Sequence, residues 1–244
     1  MAGIHFIGPN ILSYNPPAAP GYVTDGLTAF WEVASGDTST WTDITGNGND
    51  LYATGSVSKT GDYYTLGGSD GANAWFARWW SNSTTSVYNQ ATMTTEGYVF
   101  VETTGGGWND DGVWQAYRGD AQTIGWPQGC TNGFRGVIGI FASPVVLCTT
   151  TTLSQGNWYH IAQVYDDTAK TAKLYLNGVL DTSTSYTGNR VNAPVDWRMR
   201  VGVVDNGTGF NIRAGNLRVY KNKALTADEV LQNYDYDKAL YGLS

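Results

Sequence analysis

Residues 156–183, GNWYHIAQVYDDTAKTAKLYLNGVLDTS, limit the fold of this chain more than any other stretch. WYHIAQVY is aromatic and β-branched with near alternation, which suits a pleated, half-buried surface. DDTAK interrupts it with turn formers. AKLYLNGVL then resumes the alternation around Asn177-Gly178, a pair that tolerates positive φ and marks a hairpin. The segment therefore reads as three successive antiparallel strands. Trp158, His160, Ala162 and Val164 share one face, and Tyr159, Ile161, Gln163 and Tyr165 the other.

The rest of the chain extends this reading. Charged residues make up 14% of the sequence, against about 25% in an ordinary soluble domain. Glutamate, a good helix former, occurs only at positions 32, 96, 102 and 229, and glycine occurs 31 times. That composition argues for an all-β domain with many loops. Strand-like runs fall at 26–32, 63–66, 74–80, 97–102, 113–118, 134–141, 144–148, 158–165, 173–176, 197–204 and 211–220. Their spacing predicts a two-sheet sandwich or jelly roll in a single domain over residues 25–244. WFARWW (75–80) reads as sheet core with Arg78 at an edge. One helix is signalled at 227–234: Thr226 is the N-cap, Glu229 completes a capping box, and Leu225 with Val230 form a hydrophobic staple.

Residues 1–24 are different. They carry Pro16, Pro17 and Pro20 and no sustained period, which predicts an extended arm. Ile4, Phe6, Ile7, Ile11, Leu12 and Tyr14 are its apolar pegs, suited to anchoring on a neighbour's sheet edge. The first ten residues lack the basic and apolar regions of a signal peptide, so export by that route is not expected. No apolar run reaches the ~18 residues of a membrane span. A net charge of −7 argues against nucleic acid as a partner. Cys130 and Cys148 flank a run able to form two paired strands; a disulfide and two buried thiols both fit.

Three segments together carry a resemblance. Residues 26–55 contain Trp41, Asp43, Gly46, Asn47, Gly48 and Asn49. Residues 156–183 contain Trp158, His160, Tyr165, Leu174, Asn177 and Gly178. Residues 215–238 contain Arg218, Val219, Tyr220, Ala224, Leu225 and Glu229. In this order they resemble the concanavalin A-like, laminin-G-like jelly-roll domains, with Thr45 where serine is common and Asp50-Leu51 where Asn-Gly is common. The set looks most like virion proteins of tailed bacteriophages. The resemblance implies an all-β jelly roll of two antiparallel sheets. It also implies a non-enzymatic capsid decoration or fibre component on the particle surface, made in the host cytoplasm. Its partners would be other virion proteins, copies of itself and host surface glycans. A free carbohydrate-binding lectin or adhesin is the alternative.

Candidate sites follow from residue chemistry. Glycoside hydrolysis needs two carboxylates facing one cleft, and no E-x-D-x-x-E-type spacing occurs. His160 is expected to be structural, hydrogen-bonded within the sheet. The resemblance implies that calcium can bind. WNDDG and VDNGTG offer hard oxygen ligands at Asp110, Asp111 and Asp205, although both also read as plain turns. Trp108, Trp114 and Trp126 lie among Gly, Asp and Gln in residues 103–133, which match no family motif. They are candidate platforms for sugar rings, or else core.

Overall fold

The computed structural model describes residues 21–67, 74–80, 92–102, 112–117, 123–125, 130, 133–138, 145–188, 197–203 and 212–244. Within them the strands are, in chain order, β1 (Leu27–Trp31), β2 (Thr40–Trp41), β3 (Leu51–Thr54), β4 (Ser58–Thr60), β5 (Tyr63–Leu66), β6 (Trp75–Trp80), β7 (Met93–Val101) and β8 (Gly112–Tyr117). They continue as β9 (Thr123–Gly125), β10 (Arg135–Ile138), β11 (Val145–Cys148), β12 (Asn157–Asp166), β13 (Thr171–Leu176), β14 (Val179–Ser185), β15 (Trp197–Val203) and β16 (Ile212–Lys221). One α-helix follows, α1 (Ala227–Asp237), and then a 3-10 turn, Lys238–Tyr241.

The strands form two antiparallel sheets. The first runs β14-β13-β12-β7-β16-β5-β4, with β1 also paired to β16. The second runs β11-β10-β9-β8-β15-β6-β3-β2. Side chains from both fill the space between them: Trp31, Ile161, Tyr165, Leu217 and Val219 from the first, and Trp41, Phe76, Trp114, Met199 and Val201 from the second. Each of these is at most 2% exposed.

β12 divides its faces as the alternation predicts. Tyr159, Ile161 and Tyr165 join the inter-sheet core. Ala162 and Val164 point the other way, into a smaller cluster with Val230 of α1. The β13–β14 turn uses Asn177 at φ 49° and Gly178 at φ 78°, the left-handed pair that a two-residue hairpin needs.

α1 lies over the outer face of the first sheet. Thr226 is its N-cap, and the reciprocal bonds with Glu229 are both present. Leu225 and Val230 are buried together. Glu229 is partly buried, which opposes its charge. Hydrogen bonds from Lys223 and from the Thr226 backbone outweigh that and hold its carboxyl below the ordinary value. This contribution is present above the unfolded carboxylate range, about 4.3. It is lost as pH falls through the lower folded value. Thr226→Ala is expected to cost about 1 kcal/mol, or roughly 2–4 °C in a thermal melt. The same melts repeated from pH 7 to 3 should show less loss for the variant than for the parent.

The end of the N-terminal segment is docked. The Val23 N–H donates to Asn233 Oδ1 at 2.7 Å, and the Gln232 side chain donates to the Gly21 carbonyl. The Tyr22 ring packs edge-on to Phe30 and Tyr236. Residues 1–20, with Ile4, Phe6, Ile7, Ile11, Leu12 and Tyr14, lie outside the described residues. Cys130 and Cys148 are joined in a disulfide with their Cα atoms 5.5 Å apart. Closing a loop of this length is worth about 3 kcal/mol in the chain-entropy account. No helix among the described residues is long and apolar enough to cross a membrane.

Candidate functional site

The WTDITGNGND loop is built around one carboxylate. Asp43 is 5% exposed. Its Oδ1 accepts from the Phe30 and Thr45 amides, each at 3.1 Å, and from the Thr45 hydroxyl at 2.8 Å. Its Oδ2 accepts from the Asn49 amide at 3.0 Å. Asn47 and Asn49 side chains both donate to the Thr28 carbonyl, and the Trp31 indole donates to the Asn49 carbonyl at 2.7 Å. Asp43 therefore spends both oxygens on N–H and O–H donors. It fastens the loop to β1.

A second buried network lies beneath α1. Glu96, Arg218, Asp237 and His160 are each at most 1% exposed. The Arg218 guanidinium donates to Asp237 and, at 3.4 Å, to Glu96. It also stacks on Phe30 at 4.2 Å, with Tyr22 and Tyr236 at 5.2 and 5.6 Å. Burial opposes the arginine's charge, but Asp237 and Glu96 outweigh it and hold the group above its ordinary value. Asn216 donates to Asp237 at 3.1 Å, and the Tyr98 hydroxyl donates to the Tyr234 carbonyl at 2.8 Å. Burial, and Asp237 after it, push the Tyr98 phenol upward, so it stays a neutral donor. These bonds fasten α1 to the sheet. The network brings Glu96 and Asp237 together around Arg218, both buried.

His160 needs a correction. Its backbone is paired as expected, with its N–H donating to Asn177 Oδ1 and its carbonyl accepting from the Asn177 N–H. Its ring is not hydrogen-bonded. Nε2 stands 3.6 Å from Glu96 Oε2, and the ring packs against Tyr98 and Tyr234.

An aromatic and cationic cluster lies on the outer face of the second sheet. Register aligns Tyr52 of β3, Ala77 of β6 and Arg200 of β15 in one cross-strand row. Thr54 and Trp75 stand in the next row of the same face. Tyr52 is 51% exposed. Trp75 and Arg200 are half-buried, with the guanidinium carbon 6.0 Å from the indole centroid. This is a tyrosine, a tryptophan and an arginine on a flat, strand-borne surface. Such a surface stacks on the apolar face of a ring and donates to its hydroxyls.

Trp114 belongs elsewhere. It pairs with Val201 on the inward side of β8 and is 2% exposed, so it packs in the core and offers no platform. Trp108, Trp126, Asp110, Asp111 and Asp205 lie outside the described residues. Among the described residues, no group of three or more His, Cys, Asp or Glu side chains is placed to hold a metal ion. Composition did not single out Tyr52, Trp75 and Arg200. Alternation within WFARWW and WRMRV gives each strand two faces, but only the register of β6 against β15 places Trp75 and Arg200 on the same one.

Comparisons with known proteins agree with this architecture. Residues 137–231, less than half of the chain, match a family described as the concanavalin A-like lectin/glucanases superfamily. No curated protein matches. Among solved structures, the sialidase of Trypanosoma rangeli bound to the inhibitor DANA superposes with a TM-score of 0.64 at 17% identity, over 87% of this chain and 33% of the sialidase. Domain 4 of AbnA, an extracellular GH43 arabinanase from Geobacillus stearothermophilus, in complex with arabinotriose, gives 0.62 at 21% identity, over 85% of this chain and 98% of that domain. The binding domain of Paraclostridial Mosquitocidal Protein 1 gives 0.64 at 16%, over 89% and 55%. The chain thus spans about a third of the sialidase's length. The fold is a concanavalin A-like jelly-roll sandwich.

Proposed function

We propose that this chain is a non-enzymatic glycan-binding jelly roll, and that the outer face of its second sheet is the binding surface. The observation that carries the reading is the exposed Tyr52 beside the Trp75–Arg200 pair on one strand-borne face. The arabinotriose-bound arabinanase domain of the same fold supports it. The sealed state of Glu96 and Asp237 supports binding without hydrolysis. An array of neutral and acidic oligosaccharides probed with the full chain tests it. Saturable hits that weaken with Tyr52→Ala are expected; an array without hits overturns the reading.

The setting we propose is a phage particle, with the domain as capsid decoration or fibre component among virion proteins and its own copies. The three motif segments support that setting. The docked residues 21–24 mark where an arm would leave the domain. Calcium at Asp110, Asp111 and Asp205 remains part of the proposal. A chain lacking residues 1–20 is expected to scatter light as a folded monomer while the full chain assembles. Identical monomers would remove self-assembly through the arm.

A further inference from the structure

The first sheet has its own outer face, and α1 covers only part of it. Across β12, β7 and β16 the rows Val164–Thr94–Tyr220 and Ala162–Glu96–Arg218 lie in register, and His160 pairs with Tyr98 in the row that follows. The first two rows lie under Leu225 and Val230 and around the Arg218 network. Tyr241 of the 3-10 turn stacks on Tyr98 at 4.2 Å. It sits on bare backbone at Gly215, where a Cβ would come within 2.5 Å of the ring.

The next row is Trp158, Phe100, Arg213 and Thr65. It lies at the margin of this cover: the Tyr241 ring stands 4.7 Å from Trp158, and no ring contact joins it to Phe100 among the described residues. Its aromatic rings are half-buried. The Trp158 ring lies 5.6 Å from both Phe100 and Tyr63. The Arg213 guanidinium stacks over Phe100 at 4.5 Å and over Tyr63 at 5.2 Å. Its Nε donates to Glu102 Oε1 at 2.7 Å, and the two side chains are 34% and 21% exposed.

We infer that this ledge is a second carbohydrate-binding site, separate from the face of the second sheet, and that its ligand is a neutral pyranose. The aromatic shelf matches the C–H face of a sugar ring. Stacking and the Glu102 bond fix the orientation of Arg213 and leave its outer N–H groups as donors. The second Glu102 oxygen is an acceptor beside them. A donor and an acceptor side by side suit adjacent hydroxyls, since each hydroxyl both gives and takes a hydrogen bond. The paired charges cancel, and the chain carries −7 overall, so a sugar carboxylate gains little there.

The inference rests on glycan recognition by this chain, and the test separates the two faces. The full chain, Tyr52→Ala, Arg213→Ala and Glu102→Gln are run on one array carrying neutral hexopyranosyl, uronic-acid and sialyl oligosaccharides, with thermal melts as folding controls. The expected result is a neutral hexopyranosyl ligand whose binding survives Tyr52→Ala and weakens about tenfold or more in both Arg213→Ala and Glu102→Gln. Binding confined to acidic sugars overturns the inference. So does binding abolished by Tyr52→Ala and untouched by the ledge variants, an outcome that leaves the second-sheet reading standing. An array without hits overturns both.

Discussion

Arg218→Leu is expected to destabilise the domain by about 3–5 kcal/mol, the cost of breaking a buried ion pair from one side. The arginine is wholly buried and bonds two carboxylates from distant parts of the chain, Glu96 on β7 and Asp237 at the end of α1. Its removal leaves two buried carboxylates without a counter-charge. It also empties the space among Tyr22, Phe30 and Tyr236. The loss should appear first at the C-terminus, because Asp237 is the helix's charged tie to the sheet. Hydrogen exchange should show amides of α1 opening before those of β7 and β12. Replacing Glu96, Asp237 and Arg218 together by apolar residues of similar volume should recover much of the loss. A single Arg218→Leu protein that melts within about 1 kcal/mol of the parent would show that the network contributes little.

The second large effect is expected at Asp43. Asp43→Ala removes the acceptor for three amides and one hydroxyl at a position 5% exposed. Each buried donor left without a partner costs about 1–3 kcal/mol, and some will find water, so a total near 3–4 kcal/mol is expected. Asp43→Asn should lose less, since one oxygen remains, but its amide group would face the Asn49 N–H donor to donor. Denaturant melts read both values. Tryptophan emission should shift to the red as Trp31 loses its loop partner, the Asn49 carbonyl.

These two residues also show where sequence reading stops. Strands and faces were legible where alternation was clean, as along β12, because burial on one face of a sheet enforces a period of two. The helix start was legible because a capping box is a local chemical signature. Its end was not: α1 continues to Asp237, beyond the expected 234, and Asp237 is held by Arg218 and Asn216 on the sheet. β7 begins at Met93 rather than near 97 for the same reason. Thr94 and Glu96 look like loop residues in sequence, yet Thr94 binds the segment leading into α1 and Glu96 meets Arg218. The partners lie 122 residues apart, and no local pattern carries that information.

The candidate sites divide along the same line. Trp114 lies close to Gly and Asp residues and invited a role as a platform, but its pairing with Val201 turns it into the core. Trp75 sits in a run that reads as sheet core, and Arg200 in a run that reads only as a strand. Only the register of β6 against β15 reveals that they share an outer face. Aromatic composition therefore signalled the chemistry of the surface without indicating its side of the sandwich.

The most direct test takes the strongest array ligand whose binding is unaffected by Arg213→Ala and Glu102→Gln into isothermal titration with the full chain, Tyr52→Ala and Arg200→Met, and assays the same mixtures for new reducing ends. The account predicts saturable binding, about tenfold weaker in each variant, with no reducing ends released over days. Release of reducing ends, or binding that ignores both substitutions, would contradict a non-hydrolytic glycan site on the second sheet.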